Sequence, residues 1–402
     1  MAQTWRITPR KVATFRLIDA LCLPLRLLLR RRRRPTGEIR NILVVEAWHI
    51  GDVVLATPLL LALRKRFPEA RIALLGKQHA EELLRHSGLV DEVIVFDFPW
   101  TAKTAKYHPR RYNLGALRRL VSRLRSSRFD LTIDARMDLR SNLLTFLSRA
   151  PRRIGYDFGG GAFLLTDAVP ADPNARHRVE DWLMLMRPLE QRANGVSPID
   201  LTAERFEPAL AVSDEEREAA ARLLRSNGIS ADDVVAAIHA GASDAHRRWP
   251  TSSFQKVAER LVAVHRAKII YFPEPGVNEP AMSGASLVLR ASLREMMAIL
   301  SHCRLLVCND SGPMHIADAL GVPVVAVFIA GNPEWYRPYR ANQVVVAAGV
   351  GRDCLIAPQE KEVIKAAEQQ LERALTEPDF IRGERAVKAE TLDRLPAGAP
   401  RG

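Results

Sequence analysis

The sequence is poor in cysteine, and its few cysteines follow no recognisable pattern. Among 402 residues there are four, Cys22, Cys303, Cys308 and Cys354, without a CxxC spacing or a paired histidine cluster. This pattern argues against a disulfide framework and against a cysteine-ligated zinc site. It favours a reducing compartment, and we therefore expect a cytoplasmic protein.

Long apolar runs are also missing. No stretch of eighteen uncharged residues occurs, so no transmembrane helix is predicted. Residues 17–29 are mostly apolar but contain Asp19, Pro24 and Arg26, and five arginines follow at 30–34. A signal peptide has its charges before the apolar segment, so this order is wrong for one. Two interpretations remain open: an interfacial amphipathic anchor whose arginines meet anionic lipid, or a solvated, poorly ordered extension.

Acidic residues are scarce in two stretches of an otherwise mixed chain. The net charge is +13, yet residues 1–40 alone carry +9, and residues 101–129 carry another +9 with no acidic residue. Two local basic zones, and not a basic body, therefore produce the high pI. Aromatic residues make up 6% of the chain and are scarce in the basic zones: Tyr107 and Tyr112 accompany the basic residues of the second, and the run of five arginines contains none. We therefore expect no nucleic-acid partner.

Apolar runs of strand length alternate with helical patterns throughout the chain. The first half predicts strands at 42–45, 72–75, 92–96 and 131–133, and helices at 53–67, 80–87, 114–125 and 142–148. The second half repeats the plan with strands at 234–239, 268–272, 305–309 and 324–328, and helices at 253–265, 293–301 and 314–321. This alternation and the length predict an α/β protein with two Rossmann-like domains and a linker near residues 198–213.

A strand, a polar turn and a short helix meet at residues 305–321. Pro313 suits the first helical turn, Asp310 or Ser311 is placed to cap the helix, and Gly312 allows a ligand to approach the backbone. A helix that begins at the carboxyl end of a parallel strand is suited to bind an anion, usually phosphate. Taken alone, the pattern also fits an ordinary capped helix.

Three segments in order give a more specific indication. Residues 50–60 read IGDVVLATPLL, residues 239–250 read HAGASDAHRRWP, and residues 309–315 read NDSGPMH. In this order and spacing, residues 39–375 resemble the bacterial heptosyltransferases of glycosyltransferase family 9. The resemblance implies the GT-B fold, in which two Rossmann-like domains with parallel sheets face a central cleft. It also implies inverting transfer of heptose from ADP-heptose to the inner core of lipopolysaccharide.

The domain organisation expected from this resemblance has four parts. They are a basic amphipathic extension at 1–38, an acceptor domain at 39–205, a nucleotide-sugar domain at 206–376 and a polar, disordered tail at 377–402.

The resemblance assigns the general base to Asp52, which follows Gly51 at a strand-to-helix turn. Inverting transfer needs a group that takes the proton from the acceptor hydroxyl as this oxygen attacks the sugar. The alternative is a structural role, because an aspartate at this place also caps a helix.

For the donor, the resemblance places the second domain's motifs around the diphosphate. Ser243, Arg247 and Arg248 would meet the phosphates, Asp310 would bind sugar hydroxyls, and Glu279 is a candidate for the ribose. The turn at the helix start completes the set with Ser311, Gly312, Pro313, Met314 and His315. Arg247 and Arg248 also fit a solvated basic turn, and His239 fits a structural strand-end histidine. No Asp-x-Asp pair occurs, so we expect catalysis without a metal or another cofactor.

The acceptor is expected on the first domain. Lipopolysaccharide inner core is anionic, so the basic zone is an attractive docking surface, although a solvated helix face explains it equally well. The candidate contacts are Gly51, Arg118, Arg119, Arg123 and Arg140, with Arg152 and Arg153 as additions. Glu46 departs from the family pattern, in which a basic residue usually follows the first strand.

Two alternatives to lipopolysaccharide heptosylation remain. One is a transferase of the same fold that uses another nucleotide sugar or a protein acceptor. The other is a basic, non-catalytic protein that docks onto a polyanion or an anionic membrane. For the leading interpretation we expect a cytoplasmic protein, peripheral on the inner face of the cell membrane, with a nucleotide-sugar donor and an anionic glycolipid acceptor as its partners.

Overall fold

The computed structural model describes two compact units. The N-terminal unit comprises Met1–Glu81 and Leu89–Phe206, and the C-terminal unit comprises Glu82–Gly88 and Glu207–Gly402. Within these bounds the described residues are 9–22, 24, 38–101, 108, 112–170, 175, 177–190, 204, 206–274, 284–340, 343–347 and 357–377. Glu279, Cys354 and the expected tail beyond residue 377 lie outside them.

The N-terminal unit is built on one parallel sheet. Its strands are β1 (Asn41–Val45), β2 (Arg71–Gly76), β3 (Glu92–Val95), β4 (Leu131–Asp134), β5 (Arg152–Tyr156) and β6 (Asp167–Val169). Its helices are α1 (Pro9–Leu21), α2 (Ile50–Leu55), α3 (Thr57–Arg66), α4 (Gln78–Leu84), whose last residues belong to the other unit, α5 (Leu114–Ser126), α6 (Leu139–Leu147), α7 (Arg178–Leu183) and α8 (Arg187–Glu190). The strand order is β3-β2-β1-β4-β5-β6, and every pairing is parallel.

The C-terminal unit repeats this plan. Its strands are β7 (Val235–His239), β8 (Lys268–Tyr271), β9 (Leu287–Val288), β10 (Leu305–Asn309), β11 (Val324–Phe328) and β12 (Val344–Ala347). Its helices are α9 (Asp214–Ser226), α10 (Thr251–His265), α11 (Leu293–Leu300), α12 (Gly312–Ala319), α13 (Pro333–Tyr336) and α14 (Glu360–Thr376). The order β9-β8-β7-β10-β11-β12 is the same as that of the first sheet.

Both sheets thus have the doubly wound strand order, and the prediction of two such parallel sheets is confirmed. The central strands β1 and β10 are almost wholly buried, because helices cover both faces of a parallel sheet. The order reverses between β1 and β4 in the first sheet and between β7 and β10 in the second. Ligands of such sheets bind at the carboxyl ends of the strands beside this reversal.

The helix expected over residues 53–67 is two helices. α2 ends at Leu55 and α3 begins at Thr57, with Ala56 between them. Pro58 lacks an N–H, so it sits in the first turn of α3, where that hydrogen-bond donor is not needed.

The N-terminal helix α1 contacts the glycine-rich segment that follows β5. The Asp19 carboxylate accepts a hydrogen bond from the Gly161 amide at 3.0 Å. Gly160 and Gly161 both have positive φ, and a Cβ at Gly160 would press on the Phe15 ring. Among the described helices, none is both long enough and apolar enough to cross a bilayer.

Candidate active site

Asp52 lies on the first helix after the central strand of the N-terminal sheet. It is the third residue of α2, and its side chain is 15% exposed. The His49 amide donates to Asp52 Oδ2 at 3.4 Å, which is long for a helix-capping hydrogen bond. The carboxylate therefore has a weak capping contact and retains access to solvent.

Arg136, two residues after the end of β4, places a positive charge next to the Asp52 carboxylate. Its Nη1 lies 3.2 Å from Asp52 Oδ1 and 3.5 Å from Glu46 Oε1. Its guanidinium carbon stands 4.3 Å from the centroid of the Trp48 ring, in cation–π contact. We did not single out Arg136 from the sequence, although its place just beyond β4, beside the reversal of strand order, was a usable signal.

Glu46 is fully buried beneath this pair. Its Oε1 accepts a hydrogen bond from the Trp48 amide at 3.1 Å, while Oε2 has no hydrogen-bond partner among the described residues. Burial raises the pKa of Glu46 to about 8, against the lowering effect of Arg136. The carboxyl therefore carries a proton at neutral pH.

Further titratable groups surround these three residues. Burial raises the pKa of Asp134, whose carboxylate accepts hydrogen bonds from the Ser141 hydroxyl at 2.8 Å and the Arg136 amide at 2.9 Å. Burial also lowers the pKa of Lys77 and, with the Lys77 charge, lowers that of His79 to about 4. Such clustered, shifted groups at a sheet edge are typical of functional sites.

In the C-terminal unit, Asp310 and Arg247 meet at the corresponding edge. Arg247 Nη1 donates to Asp310 Oδ2 at 3.1 Å. The Asp310 side chain is only 5% exposed, and burial raises its pKa to about 6 despite the guanidinium. Gly331 covers the same oxygen, since a Cβ there would lie 3.1 Å from it.

Asn309 joins the two loops that carry these residues. Its side chain accepts from the Trp249 amide at 2.9 Å and donates to the Ala240 carbonyl at 2.6 Å. Arg248 instead donates to the Ala242 carbonyl at 2.9 Å, so part of its hydrogen bonding stabilises the loop itself. Ser243 is exposed.

The start of α12 differs in one detail from the expected capped helix. Ser311 holds the N-cap position, but its hydroxyl donates to the Asn309 carbonyl at 3.2 Å and caps no amide. Gly312 and Pro313 are half-buried at the helix start, whereas the Met314 and His315 side chains are buried. The Met314 side chain packs in the core, and its backbone amide donates to the Ser311 carbonyl at 3.2 Å.

Glu274 lies beside His239 in the C-terminal unit and was not among the residues predicted from the sequence. It follows β8, and its Oε2 lies 3.6 Å from His239 Nε2. A Cβ at Gly241 would overlap the Glu274 side chain, so only glycine fits there. His239 is buried, with Nδ1 2.9 Å from the Phe272 carbonyl, in agreement with a structural role. An acidic residue after the second strand of a Rossmann-like unit was the available signal.

The predicted acceptor arginines differ in their surroundings. Arg118 and Arg119 are exposed on α5, whereas Arg123 forms an ion pair with Glu92. Arg140, after β4, forms an ion pair with Asp138, and Gly51 is half-buried in α2. Of the two suggested additions, Arg153 is buried and donates to the carbonyls of Leu164 and Ala150, and Arg152 lies 3.4 Å from Asp167.

Among the described residues, no group of three or more His, Cys, Asp and Glu side chains is arranged to hold a metal ion. Cys303 and Cys308 are buried free thiols, and burial raises the pKa of Cys303 to about 12. Neither thiol has the lowered pKa of a reactive cysteine.

Two parallel doubly wound sheets, each with charged side chains at its strand-order reversal, are the units from which GT-B sugar transferases are built. The family model of glycosyltransferase family 9 (heptosyltransferase) matches residues 117–364, and the chain belongs to this family. Lipopolysaccharide heptosyltransferase 2 of Salmonella typhimurium is 25% identical over 315 residues, which cover 74% of this chain and 85% of that protein.

Solved structures give the same fold. A family 9 glycosyltransferase from Veillonella parvula superposes with a TM-score of 0.72 at 24% identity, over 85% of this chain and 100% of the other. The ADP-heptose lipopolysaccharide heptosyltransferase II of Escherichia coli superposes with a TM-score of 0.68 at 21% identity, over 84% of this chain and 100% of the other. The predicted family resemblance is confirmed, and the chain is a glycosyltransferase, which excludes the non-catalytic alternative.

Proposed function

We propose that this protein transfers heptose from ADP-heptose to a hydroxyl of the lipopolysaccharide inner core, with inversion at the anomeric carbon. The observation that carries the proposal is Asp52, a partly accessible carboxylate after β1 at the reversal of strand order. It stands in a chain that belongs to family 9 and is similar to lipopolysaccharide heptosyltransferases.

Asp52 acts as the general base in this proposal. The acceptor oxygen forms the new bond to the anomeric carbon while its proton passes to the Asp52 carboxylate. The bond from that carbon to the diphosphate oxygen breaks, and ADP leaves with the electron pair. Proton removal by a positioned carboxylate contributes about 100- to 10,000-fold to such rates.

The C-terminal unit binds the donor. The half-buried start of α12 offers backbone amides and the positive end of an eight-residue helix to the diphosphate. Arg247, 40% exposed, is paired with Asp310, two residues before this helix begins, and neutralises charge on the departing ADP in this proposal. Asp310 takes a sugar hydroxyl, and Glu274 takes the ribose hydroxyls. Because amides and a guanidinium hold the diphosphate, the proposed reaction needs no divalent metal.

The acceptor binds along α5 of the N-terminal unit. Arg118 and Arg119 are exposed there, and the family's acceptor is anionic in its inner core. Arg123 and Arg140 already contact Glu92 and Asp138, so they contribute less free charge. Opposite charges at this surface raise the rate of encounter with the acceptor.

The protein works at the cytoplasmic face of the inner membrane in this proposal. Leu17 and Leu21 lie one helical turn apart on α1, 61% and 72% exposed, and the sequence continues into the arginines at 30–34. An apolar strip next to basic residues suits an anionic lipid surface. Flotation with anionic liposomes tests this: equal recovery of the full chain and of a chain lacking residues 1–38 would refute it.

Transfer itself is tested with purified protein, ADP-heptose and a deacylated inner-core acceptor. We expect a product one heptose heavier and stoichiometric release of ADP. Asp52→Asn is expected to keep its fold, by circular dichroism, and to lose about 100- to 10,000-fold in kcat. The control Asp97→Asn removes an exposed carboxylate of the same unit and is expected to retain activity. Transfer by Asp52→Asn at the wild-type rate would refute the assignment of the base.

The alternative is a transferase of the same fold that uses another nucleotide sugar or a protein acceptor. Thermal shift with ADP, UDP and GDP identifies the nucleotide of the donor, because a ligand that binds the folded state raises the melting temperature by mass action. Selective stabilisation by UDP or GDP would replace ADP-heptose in the proposal.

A further inference from the structure

A single guanidinium nitrogen serves two carboxyl groups at the edge of the N-terminal sheet. Arg136 Nη1 lies 3.2 Å from Asp52 and 3.5 Å from Glu46, from side chains that are 15% and 0% exposed. One positive charge does not neutralise two carboxylates in so buried a place, so one of them holds a proton. The buried Glu46 is that one.

We propose that Glu46 and Arg136 are positioning residues that together set the orientation and basicity of Asp52. This inference rests on the proposed role of Asp52 as the general base. When Glu46 is protonated, the guanidinium charge is directed to Asp52 and holds Oδ1 in place. When Glu46 ionises, it draws that charge towards itself, and Asp52 becomes a stronger but less firmly oriented base.

The guanidinium has little freedom to move elsewhere. The Trp48 ring covers one of its faces at 4.3 Å, and the Arg136 amide is hydrogen-bonded to Asp134 at 2.9 Å. The Trp48 amide in turn donates to Glu46 Oε1 at 3.1 Å. Trp48 therefore contacts both Glu46 and Arg136, and the environment of its ring changes when the pairing of these two residues changes.

Other charged groups also face this pair and have to be distinguished from Glu46. Asp52 is on α2 and His49 precedes it. Asp134 ends β4, and Lys77 and His79 follow β2. The pKa of His79 is about 4, so this histidine stays neutral above pH 6. Asp134 also has a raised pKa, and only replacement of Glu46 separates the two carboxyls.

The first experiment measures kcat/KM against pH for the wild type, Arg136→Met and Arg136→Lys. Arg136→Met removes the positive charge that favours the ionised form of the base, so we expect the acidic limb of its profile to move up by about one pH unit. We also expect kcat to fall by about 100-fold through lost orientation, with KM for the donor unchanged. Arg136→Lys keeps the charge and should restore the position of the limb.

Arg64→Met is the matched control. Arg64 is another arginine of the same unit with a mostly buried side chain, and it is paired with Asp91 at 2.7 Å. Its loss tests whether removal of any buried ion pair moves the profile. An unmoved acidic limb in Arg136→Met, or the same shift in Arg64→Met, would overturn the proposal.

The second experiment needs no activity. The fluorescence of Trp48, taken as the difference between the wild type and Trp48→Phe, should titrate with a midpoint near pH 8, the pKa of Glu46. The transition should vanish in Glu46→Gln, and so should any inflection of kcat/KM near that pH. A transition that persists in Glu46→Gln overturns the proposal. If no nucleotide sugar is transferred, the proposed function fails, while this titration still decides whether Glu46 and Arg136 are coupled.

Discussion

Arg247 Nη1 lies 3.1 Å from Asp310 Oδ2, and this pair links the loop after β7 to the loop after β10. Asp310 is nearly buried, whereas the Arg247 side chain is 40% exposed. The exposed partner is thus free to turn towards a ligand, and the buried carboxylate has a pKa of about 6.

Asp310→Asn should make the protein more stable at neutral pH. The folded pKa of Asp310 is raised, so the folded state binds its proton more tightly than the unfolded state, and stability is lost as pH rises from about 4 to about 6. The asparagine has no such loss. We therefore expect the free energy of unfolding of Asp310→Asn to rise by about 2 kcal/mol relative to that of the wild type between pH 4 and pH 7.5. Urea unfolding at both pH values measures the difference. Asp232→Asn, at an exposed position, is the control and should gain nothing.

Gly241→Ala should destabilise the C-terminal unit and weaken donor binding. The new methyl overlaps the Glu274 side chain and must displace it, at a cost of about 1–3 kcal/mol. Glu274→Ala removes the nearest obstructing atom, Oε2, but leaves the Cβ of residue 274 and the His239 ring within 3.0 Å of the new methyl, so the double variant should recover part of the stability and none of the affinity for ADP. Thermal melts and titration calorimetry separate the two effects. Recovery of both together would show that Glu274 has no part in binding the donor.

Neutralising the arginines of α5 should weaken the acceptor alone. For the combined change of Arg118, Arg119 and Arg123 to glutamine we expect a higher KM for the acceptor, an unchanged KM for the donor and a smaller dependence on salt. The same change at Arg222 and Arg225 of α9, which are exposed on the other unit, is the control. Unchanged acceptor kinetics in the α5 variant would leave this helix as a solvated surface.

Chelation should not affect catalysis. In the proposed function the diphosphate is held by amides and by Arg247. We therefore expect a roughly 10-fold molar excess of EDTA over protein to leave kcat within about 2-fold of its original value. Loss of a catalytic metal, which contributes several kcal/mol to transition-state stabilisation, would lower kcat far more. Loss of activity that magnesium restores would contradict the metal-independent mechanism. Calcium, which EDTA binds more tightly than magnesium, serves as the control addition.

Much of the fold could be predicted from local sequence, because most helices and strands have a recognisable pattern within a few consecutive residues. The buried runs of β1, β7, β10 and β11 and the start of α12 after a polar turn were predicted in this way, whereas the expected side-chain cap of α12 is absent. The strands β5 and β6 were not predicted from the sequence. β5 begins with two charged residues, Arg152 and Arg153, and β6 has only three residues. The break at Ala56 was missed, although Pro58 signalled it.

The order of buried strands, the turn at Asp52 and the 309–315 motif were determined by the sequence itself, since each depends on neighbours along the chain. The partners of these residues were decided by the tertiary structure. Arg136 is 84 positions from Asp52, and parallel pairing of Val45 with Asp134 carries Glu46 and Arg136 to one edge. The pKa of Glu46 follows from that meeting, because burial and a shared cation arise only when distant strands pack side by side.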